Sequence, residues 1–177
     1  HEPDARSETV YPFSLNLDPD PVTGAAAYVA KKDVGEPIDP EARDHYDPHL
    51  FWEKVRPPSD GALNLQTGRL YILRSKERLR MPGNLALECQ AYTETMGEWR
   101  IEYAGFAHPF FGRSRDNGTP LMFEVRGHNV PTLLTDGIPL GNVSFKRMSR
   151  PAEEPKEPGT YEDQELRLSS CFWPWSQ

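Results

Sequence analysis

A glutamate interrupts one of the most apolar stretches of the chain. In LMFEVRG (residues 121–127) Glu124 follows three apolar residues, and Arg126 comes two positions later. Side chains two residues apart on a strand point to the same face, so we expect these two to share one. Two interpretations stay open: an exposed ion pair, or a carboxylate held in a pocket, where it can act as a general base. Arg74 and Ser75 similarly end the apolar stretch LYIL.

The histidines and cysteines form no familiar metal pattern. His45 and His49 are four residues apart, but an Asp-Pro pair between them interrupts a continuous helix, which favours a surface location. Two cysteines, Cys89 and Cys171, are too few for a four-cysteine zinc site or a disulfide scaffold. The H-x-E and P-C-x-x-C elements of zinc nucleobase deaminases are absent, as are glycine-rich phosphate loops. We therefore expect no zinc.

Length and charge exclude further classes of protein. The 177 residues, 37% of them hydrophobic, suit one domain with a real core. The net charge of -7 argues against a broad nucleic-acid surface, and no apolar run is long enough for a membrane span. We expect a reduced, cytoplasmic protein. The first residues, HEPDARSE, contain neither an initiator methionine nor a signal sequence, which suggests a piece of a longer polypeptide.

Eighteen prolines and 13 glycines indicate many short segments joined by turns. From residue 68 onward the pattern is almost wholly strand and turn. The expected fold is therefore mainly β, a barrel or sandwich of short antiparallel strands with one or two short helices. The helices are predicted to begin after Asp39-Pro40 and Asp47-Pro48.

Two hairpins, one final strand and three regions are predicted. YPFSLNL and AAYVAKK are expected to form one hairpin, TLLTDGIPLGNVSFKRM a second, and YEDQELRLSSCFW a final strand. Residues 1–10 are predicted to be a disordered tail, and residues 11–149 the β domain. Residues 150–177 are predicted to be a flexible, proline-rich arm followed by the closing strand.

Four segments in order carry a family resemblance: LYILRSKE, RIEYAGFAHPFFG, MFEVRGHNVPTLLTDGIPLGNVSFKRM and TYEDQELRLSS. Together they resemble the dCTP deaminase branch of the dUTPase-like superfamily, most closely the C-terminal half of the long, two-unit bacterial enzymes. The resemblance covers about residues 13–172. It implies a distorted β-barrel or jelly roll, and a homotrimer or a pseudo-trimer with a second dUTPase-like half. It also implies active sites between neighbouring units.

The resemblance also implies roles for individual residues. Glu124 matches the essential glutamate, Ser75 the serine that positions the attacking water, and Ala104 the alanine whose carbonyl contacts that water. His108 stands where the family has an aspartate. Tyr161 and Gln164 match the element that holds the nucleotide's phosphates and base. The substrate-binding candidates are Arg74, Arg78, Arg80, His108, Arg126, Tyr161 and Gln164.

One departure from the family pattern concerns an arginine. The family's short enzymes carry an arginine four residues after the motif serine, and here that position is Leu79. Arg78 and Arg80 flank it, but neighbouring strand residues face oppositely, so neither substitutes automatically. In the long enzymes the other half of the chain can supply this arginine.

The activity that the resemblance implies is conversion of dCTP and water to dUTP and ammonia. One oriented carboxylate can move both protons, and no zinc is needed. Mg²⁺ is expected only as the counter-ion of the triphosphate. Two alternatives remain: a dUTP diphosphatase, alone or bifunctional, and a degenerate half that binds nucleotide or serves assembly.

Overall fold

The computed structural model describes residues 10–91, 99–103, 105–156 and 165–175. Within these ranges the chain forms eleven strands and one short helix. In order they are β1 (Val10–Asn16), β2 (Ala27–Ala30), α1 (Pro48–Phe51), β3 (Trp52–Val55), β4 (Ala62–Leu65), β5 (Leu70–Leu79), β6 (Leu85–Ala91), β7 (Trp99–Tyr103), β8 (Phe106–Ala107), β9 (Thr119–Gly127), β10 (Thr132–Thr135) and β11 (Pro139–Arg147). The predicted mainly β class is confirmed.

The main sheet is built around β5. Strand β9 pairs with β5 along most of its length, while β1 and β2 each pair with part of it. From β1 the order continues through β11 and β6 to β8, and β3 and β7 pair with β2 and β9. Strands β4 and β10 form a separate two-stranded sheet. All these ladders are antiparallel, and the sheet curls into a half-barrel.

The two faces of the β5–β9 ladder bury different sets of side chains. Tyr71 and Leu73 of β5 pack in the main core, together with Leu121, Phe123 and Val125 of β9. The intervening residues point the other way because strand side chains alternate. We call that side the outer face. On it lies a second apolar cluster, formed by Ala25, Tyr28, Ile72 and Leu166.

Both predicted hairpins are wrong. Strand β1 pairs with β11 and β5 rather than with β2, and β2 pairs with β3 and β5. In the second predicted hairpin, β10 pairs with β4, whereas β11 pairs with β1 and β6. The strands themselves lie where alternation predicts them, but their partners are set by tertiary packing.

Of the two predicted helices, the described residues contain only the second. Asp47 caps α1, its Oδ1 accepting from the backbone N–H of His49 at 2.9 Å. The helix lasts only four residues before the chain extends into β3. At the other predicted start, Asp39 Oδ1 accepts from the backbone N–H of Glu41 at 2.9 Å. The chain that follows makes a turn rather than a helix. Proline at the first helical position therefore marks the α1 start but does not ensure a helix.

The predicted final strand is also absent from the described residues 165–175, which contain only one bridge, between Tyr46 and Phe172. This segment instead packs its apolar side chains on the outer face and on α1. Residues 150–156 contact the body of the domain: the N–H of Ala152 donates to the carbonyl oxygen of Gly83 at 2.8 Å. The three regional boundaries stay predictions.

A charged contact secures the turn between β10 and β11. The Asp136 carboxylate accepts from Lys76 Nζ and, at 2.9 Å, from the N–H of Leu17. Burial acts to raise the pKa of Asp136, but the hydrogen bonds from Lys76 and Leu17 outweigh it and lower the pKa overall. The turn is thereby fixed to the end of β1. The single helix in the described ranges lacks the length and apolar character needed to cross a membrane.

Candidate active site

Glu124 lies on the outer face of the β5–β9 ladder. It pairs with Ile72, and the next rung on the same face pairs Met122 with Arg74. Glu124 is exposed. Arg126 donates a hydrogen bond to the carbonyl oxygen of Gly68 at 3.1 Å. Both interpretations of Glu124, the exposed ion pair and the carboxylate in a pocket, stay open.

A cleft of about 420 Å³ opens beside Glu124. Apolar side chains form most of its wall, namely Ile72, Phe106, Phe111, Leu121, Met122 and Leu168. His108 also lines it, with Nδ1 2.7 Å from the carbonyl oxygen of Pro109. In the neutral ring this contact places the proton on Nδ1 and leaves Nε2 as an acceptor. The sequence-predicted His108 and Glu124 therefore face one cleft.

Three arginines meet one carboxylate further along the outer face. Arg78 Nη2 lies 2.6 Å from Glu165 Oε1, and Arg115 Nη1 donates to the same oxygen. Arg74 Nη1 lies 3.4 Å from Glu165 Oε2. Glu165 is only 8% exposed. We call Arg74, Arg78, Arg115 and Glu165 the arginine cluster.

Asp20 completes the surroundings of Arg74. Its Oδ2 lies 3.4 Å from Arg74 Nη1 and also accepts from the N–H of Leu166 at 2.9 Å. Arg74 Nη2 donates to the carbonyl oxygen of Asp18 at 2.8 Å, whereas the buried Nε has no acceptor. Burying a charge is costly unless it is paired, so Asp20 and Glu165 together permit an arginine that is 3% exposed.

Ser75 lies on the core face of β5 and is 1% exposed. Its Oγ donates to the carbonyl oxygen of Glu77 at 2.6 Å and accepts from the N–H of Leu121 at 2.9 Å. These bonds bridge the irregularity in β5 between Arg74 and Arg78, where the pairing with β9 shifts. Within this chain Ser75 and Glu124 are therefore on opposite faces of the sheet and do not meet.

The hydrogen bonds of Ser75 predict a clear loss of stability on truncation. Ser75→Ala leaves the buried N–H of Leu121 without an acceptor, so the free energy of unfolding should fall by about 1–3 kcal/mol. Ser144 is equally buried, but its Oγ has no hydrogen-bond partner. Ser144→Ala is the matched control and should change stability little or raise it. Urea denaturation of both variants measures the difference, and equal losses would contradict this assignment.

The other predicted site residues fall in different places. Leu79 packs in the main core. Arg80 is exposed and does not join the arginine cluster. Arg126 lines a separate basic groove with Lys31, Lys32 and Arg69. Ala104, Tyr161 and Gln164 lie outside the residues that the structure describes.

The sequence interpretation missed Asp20, Arg115 and Glu165. Arg115 belongs to the loop SRDNGTP, where it looks like an ordinary surface residue, and Glu165 follows the family element YEDQ directly. The pairs Arg74–Asp20 and Arg115–Glu165 are separated by 54 and 50 positions, so local patterns cannot reveal them. In the described ranges, no group of three or more His, Cys, Asp or Glu side chains could hold a metal ion.

Comparisons with known proteins identify the family to which the chain belongs. A search of curated proteins finds no match. Among solved structures, the chain is similar to the crystal structure of 2'-deoxycytidine 5'-triphosphate deaminase from Agrobacterium tumefaciens, with 28% identity and a TM-score of 0.73. The match covers 85% of this chain but only 43% of that protein, so the chain spans less than half its length. Residues 2–172 match the family described as 2'-deoxycytidine 5'-triphosphate deaminase (DCD), C-terminal domain, and the chain belongs to this family.

Proposed function

We propose that this chain takes part in the hydrolytic deamination of dCTP to dUTP and ammonia, within pyrimidine deoxynucleotide metabolism. The observation that carries the proposal is the position of Glu124. Its carboxylate faces a cleft on the same sheet face as a cluster of three arginines, in a chain of this family. A carboxylate and guanidinium groups are what a base-directed reaction on a nucleoside triphosphate requires.

The proposed mechanism uses Glu124 as a proton shuttle. Its carboxylate removes a proton from water and passes it to N3 of the cytosine ring, while the oxygen attacks C4 and the C4=N3 double bond opens. The resulting tetrahedral carbon carries both the new hydroxyl and the amino group. Glu124 then takes the proton of that hydroxyl as the C4 carbonyl forms and delivers it to the amino group, which leaves as ammonia.

The spacing along β9 fits an extended nucleotide. Pro120 pairs with Arg78, and Glu124 lies four residues further along the same strand. At about 3.3 Å per residue, this separates the two rungs by roughly 13 Å. A triphosphate held near Arg78 therefore leaves room for a sugar and a base that reaches towards Glu124. We propose Arg78, rather than the exposed Arg80, as the substitute for the arginine absent at Leu79.

The positions of Ser75 and Glu124 support a site shared between units. Because the two residues lie on opposite faces, one chain cannot place both around one water molecule in this arrangement. We propose that a neighbouring dUTPase-like unit, in a homotrimer or pseudo-trimer, completes each site. Ala104, Tyr161 and Gln164 keep their proposed roles in holding water and nucleotide. The proposed cellular setting is the cytoplasm.

No resident metal enters this mechanism. Mg²⁺ is proposed only as the counter-ion that arrives with the triphosphate. Zinc is not part of the proposal, because a carboxylate with a positioned water can do the same chemistry.

The proposal is tested by incubating the chain with dCTP and Mg²⁺ and measuring ammonia and dUTP. Equal amounts of both products are expected, slowly from the chain alone and faster when a second dUTPase-like half is joined to it. Release of pyrophosphate from dUTP would instead support a diphosphatase. Binding of dCTP without either product, in the joined form as well, would contradict the proposal and favour a nucleotide-binding or assembly role.

A further inference from the structure

The arginine cluster binds the carboxylate of Glu165 with a geometry that also suits a more highly charged anion, such as phosphate. Both oxygens of Glu165 are engaged: Arg78 Nη1 lies 3.4 Å from Oε2 in addition to the 2.6 Å contact of its Nη2 with Oε1. With Arg74 and Arg115, four guanidinium nitrogens converge on one carboxylate. Arginine binds phosphate through the same paired N–H geometry as carboxylate, and phosphate offers more oxygens and more charge.

The charges joined by ion pairs in this region are not balanced. Arg74, Arg78 and Arg115 contribute three positive charges, while their partners Asp20 and Glu165 contribute two negative ones. Asp116, which is exposed, adds a negative charge at the depression beside the cluster. Replacing the singly charged carboxylate of Glu165 with a doubly charged phosphate would make the cluster neutral. The buried Nε of Arg74 has no acceptor, so the donors of the cluster are not all used in the present arrangement.

Glu165 can leave the cluster without unfolding its segment. The backbone at Leu166 is held separately, by the contact of its N–H with Asp20 and by its carbonyl oxygen, which accepts from Tyr28 Oη at 3.3 Å. A surface depression of about 490 Å³ opens beside the cluster, lined by Arg78, Arg115, Asp116, Asn117 and Glu165. The side chains of Arg78 and Arg115 are 31% and 37% exposed, so this side of the cluster reaches solvent. A rotation of the Glu165 side chain towards this depression would free the arginines while leaving the backbone contacts of Leu166 in place.

We propose that Glu165 is an internal anion that occupies the arginine cluster, and that a phosphate group of the nucleotide binds there by displacing it. Arg115 is then a phosphate-binding residue, and Glu165 sets the affinity by competing with the ligand. The inference rests on the proposed function for the class of ligand, a nucleoside triphosphate. Its test uses inorganic triphosphate and measures no deamination, so the two proposals can fail separately.

The test compares variants in calorimetric titrations with inorganic triphosphate. Glu165→Gln keeps the size of the side chain but removes its charge, and should bind triphosphate at least about tenfold more tightly than the unchanged chain. Arg115→Gln should weaken binding by about tenfold. Arg113→Gln is the matched control, because Arg113 lies in the same loop but pairs with Glu154. It should leave the affinity unchanged.

A purely structural role for Glu165 makes a different prediction. Glu165→Gln would then melt at a lower temperature with no gain in triphosphate affinity, and that result would overturn the proposal. Competition instead predicts that triphosphate raises the melting temperature of Glu165→Gln more than that of the unchanged chain. Glu165→Asp, which withdraws the carboxylate by one methylene, should give an intermediate affinity and serves if the Gln variant does not fold. Equal triphosphate affinities of Glu165→Asp and the unchanged chain would also overturn the proposal.

Discussion

Glu124→Gln is expected to lower the rate of dCTP deamination by about 10²- to 10⁴-fold, because a positioned general base contributes that much to a proton-transfer step. Glutamine keeps the shape and hydrogen-bonding reach of the side chain but cannot accept the proton of water. Nucleotide affinity should persist, since the arginine cluster that is proposed to bind the phosphates is intact. The measurement is steady-state ammonia release with the form of the protein that deaminates dCTP, together with dCTP binding.

Glu88→Gln provides the control for this substitution. Glu88 is also an exposed strand glutamate, but it pairs with Lys146 on the β6–β11 ladder, away from the cleft. Its replacement should leave the rate unchanged. Full deaminase activity in Glu124→Gln would refute the proposed mechanism, whereas loss of both activity and dCTP binding would mean that the residue binds substrate rather than moving protons.

Gly112→Ala is expected to lower the free energy of unfolding by about 3 kcal/mol or more, from strain and overpacking together. Gly112 has a φ of +70°, and an added Cβ would lie 2.1 Å from the carbonyl oxygen of Leu79. Leu79 belongs to the main core, so its backbone cannot move aside cheaply. Urea denaturation measures the loss.

Gly68→Ala separates these two contributions. Gly68 has almost the same φ, +73°, but nothing lies within 4 Å of its added Cβ. The free energy of unfolding of Gly68→Ala should fall only by the strain of a left-handed residue, about 1–2 kcal/mol. If the two variants lose the same stability, the close approach of the Gly112 loop to β5 is not a real constraint. The contrast also tests the loop that carries Arg115, because Arg115 lies three residues after Gly112.

Local sequence patterns predict the strands of this domain better than their partners. Alternation of Leu121, Phe123 and Val125 with polar or half-buried residues identifies β9 and the face that bears Glu124. The same alternation cannot show that β1 pairs with β11, because that choice depends on packing between segments far apart in the chain. Both hairpin predictions failed for this reason.

The residues of the candidate site, too, are only partly predictable from the sequence. Glu124 stands out because a charge within an apolar strand is unusual, and His108 is found beside it in the cleft. The family pattern identifies Ser75, but only the structure reveals that its hydroxyl bridges β5 and β9. Glu165 and Asp20 are ordinary acidic residues in sequence, and only the folded chain brings them to Arg74.

The pairing of β1 with β11 has a consequence for how the domain forms. Tyr11 of the first strand faces Val143 of the last, so the sheet is complete only when segments more than a hundred residues apart have met. Such contacts carry a large loop-closure entropy before any packing energy is gained, and proteins dominated by them fold in milliseconds to seconds rather than microseconds. During synthesis, one edge of β1 stays unpaired until β11 has emerged. Folding of this domain is therefore a late event, and the unpaired edge of β1 is where self-association would begin.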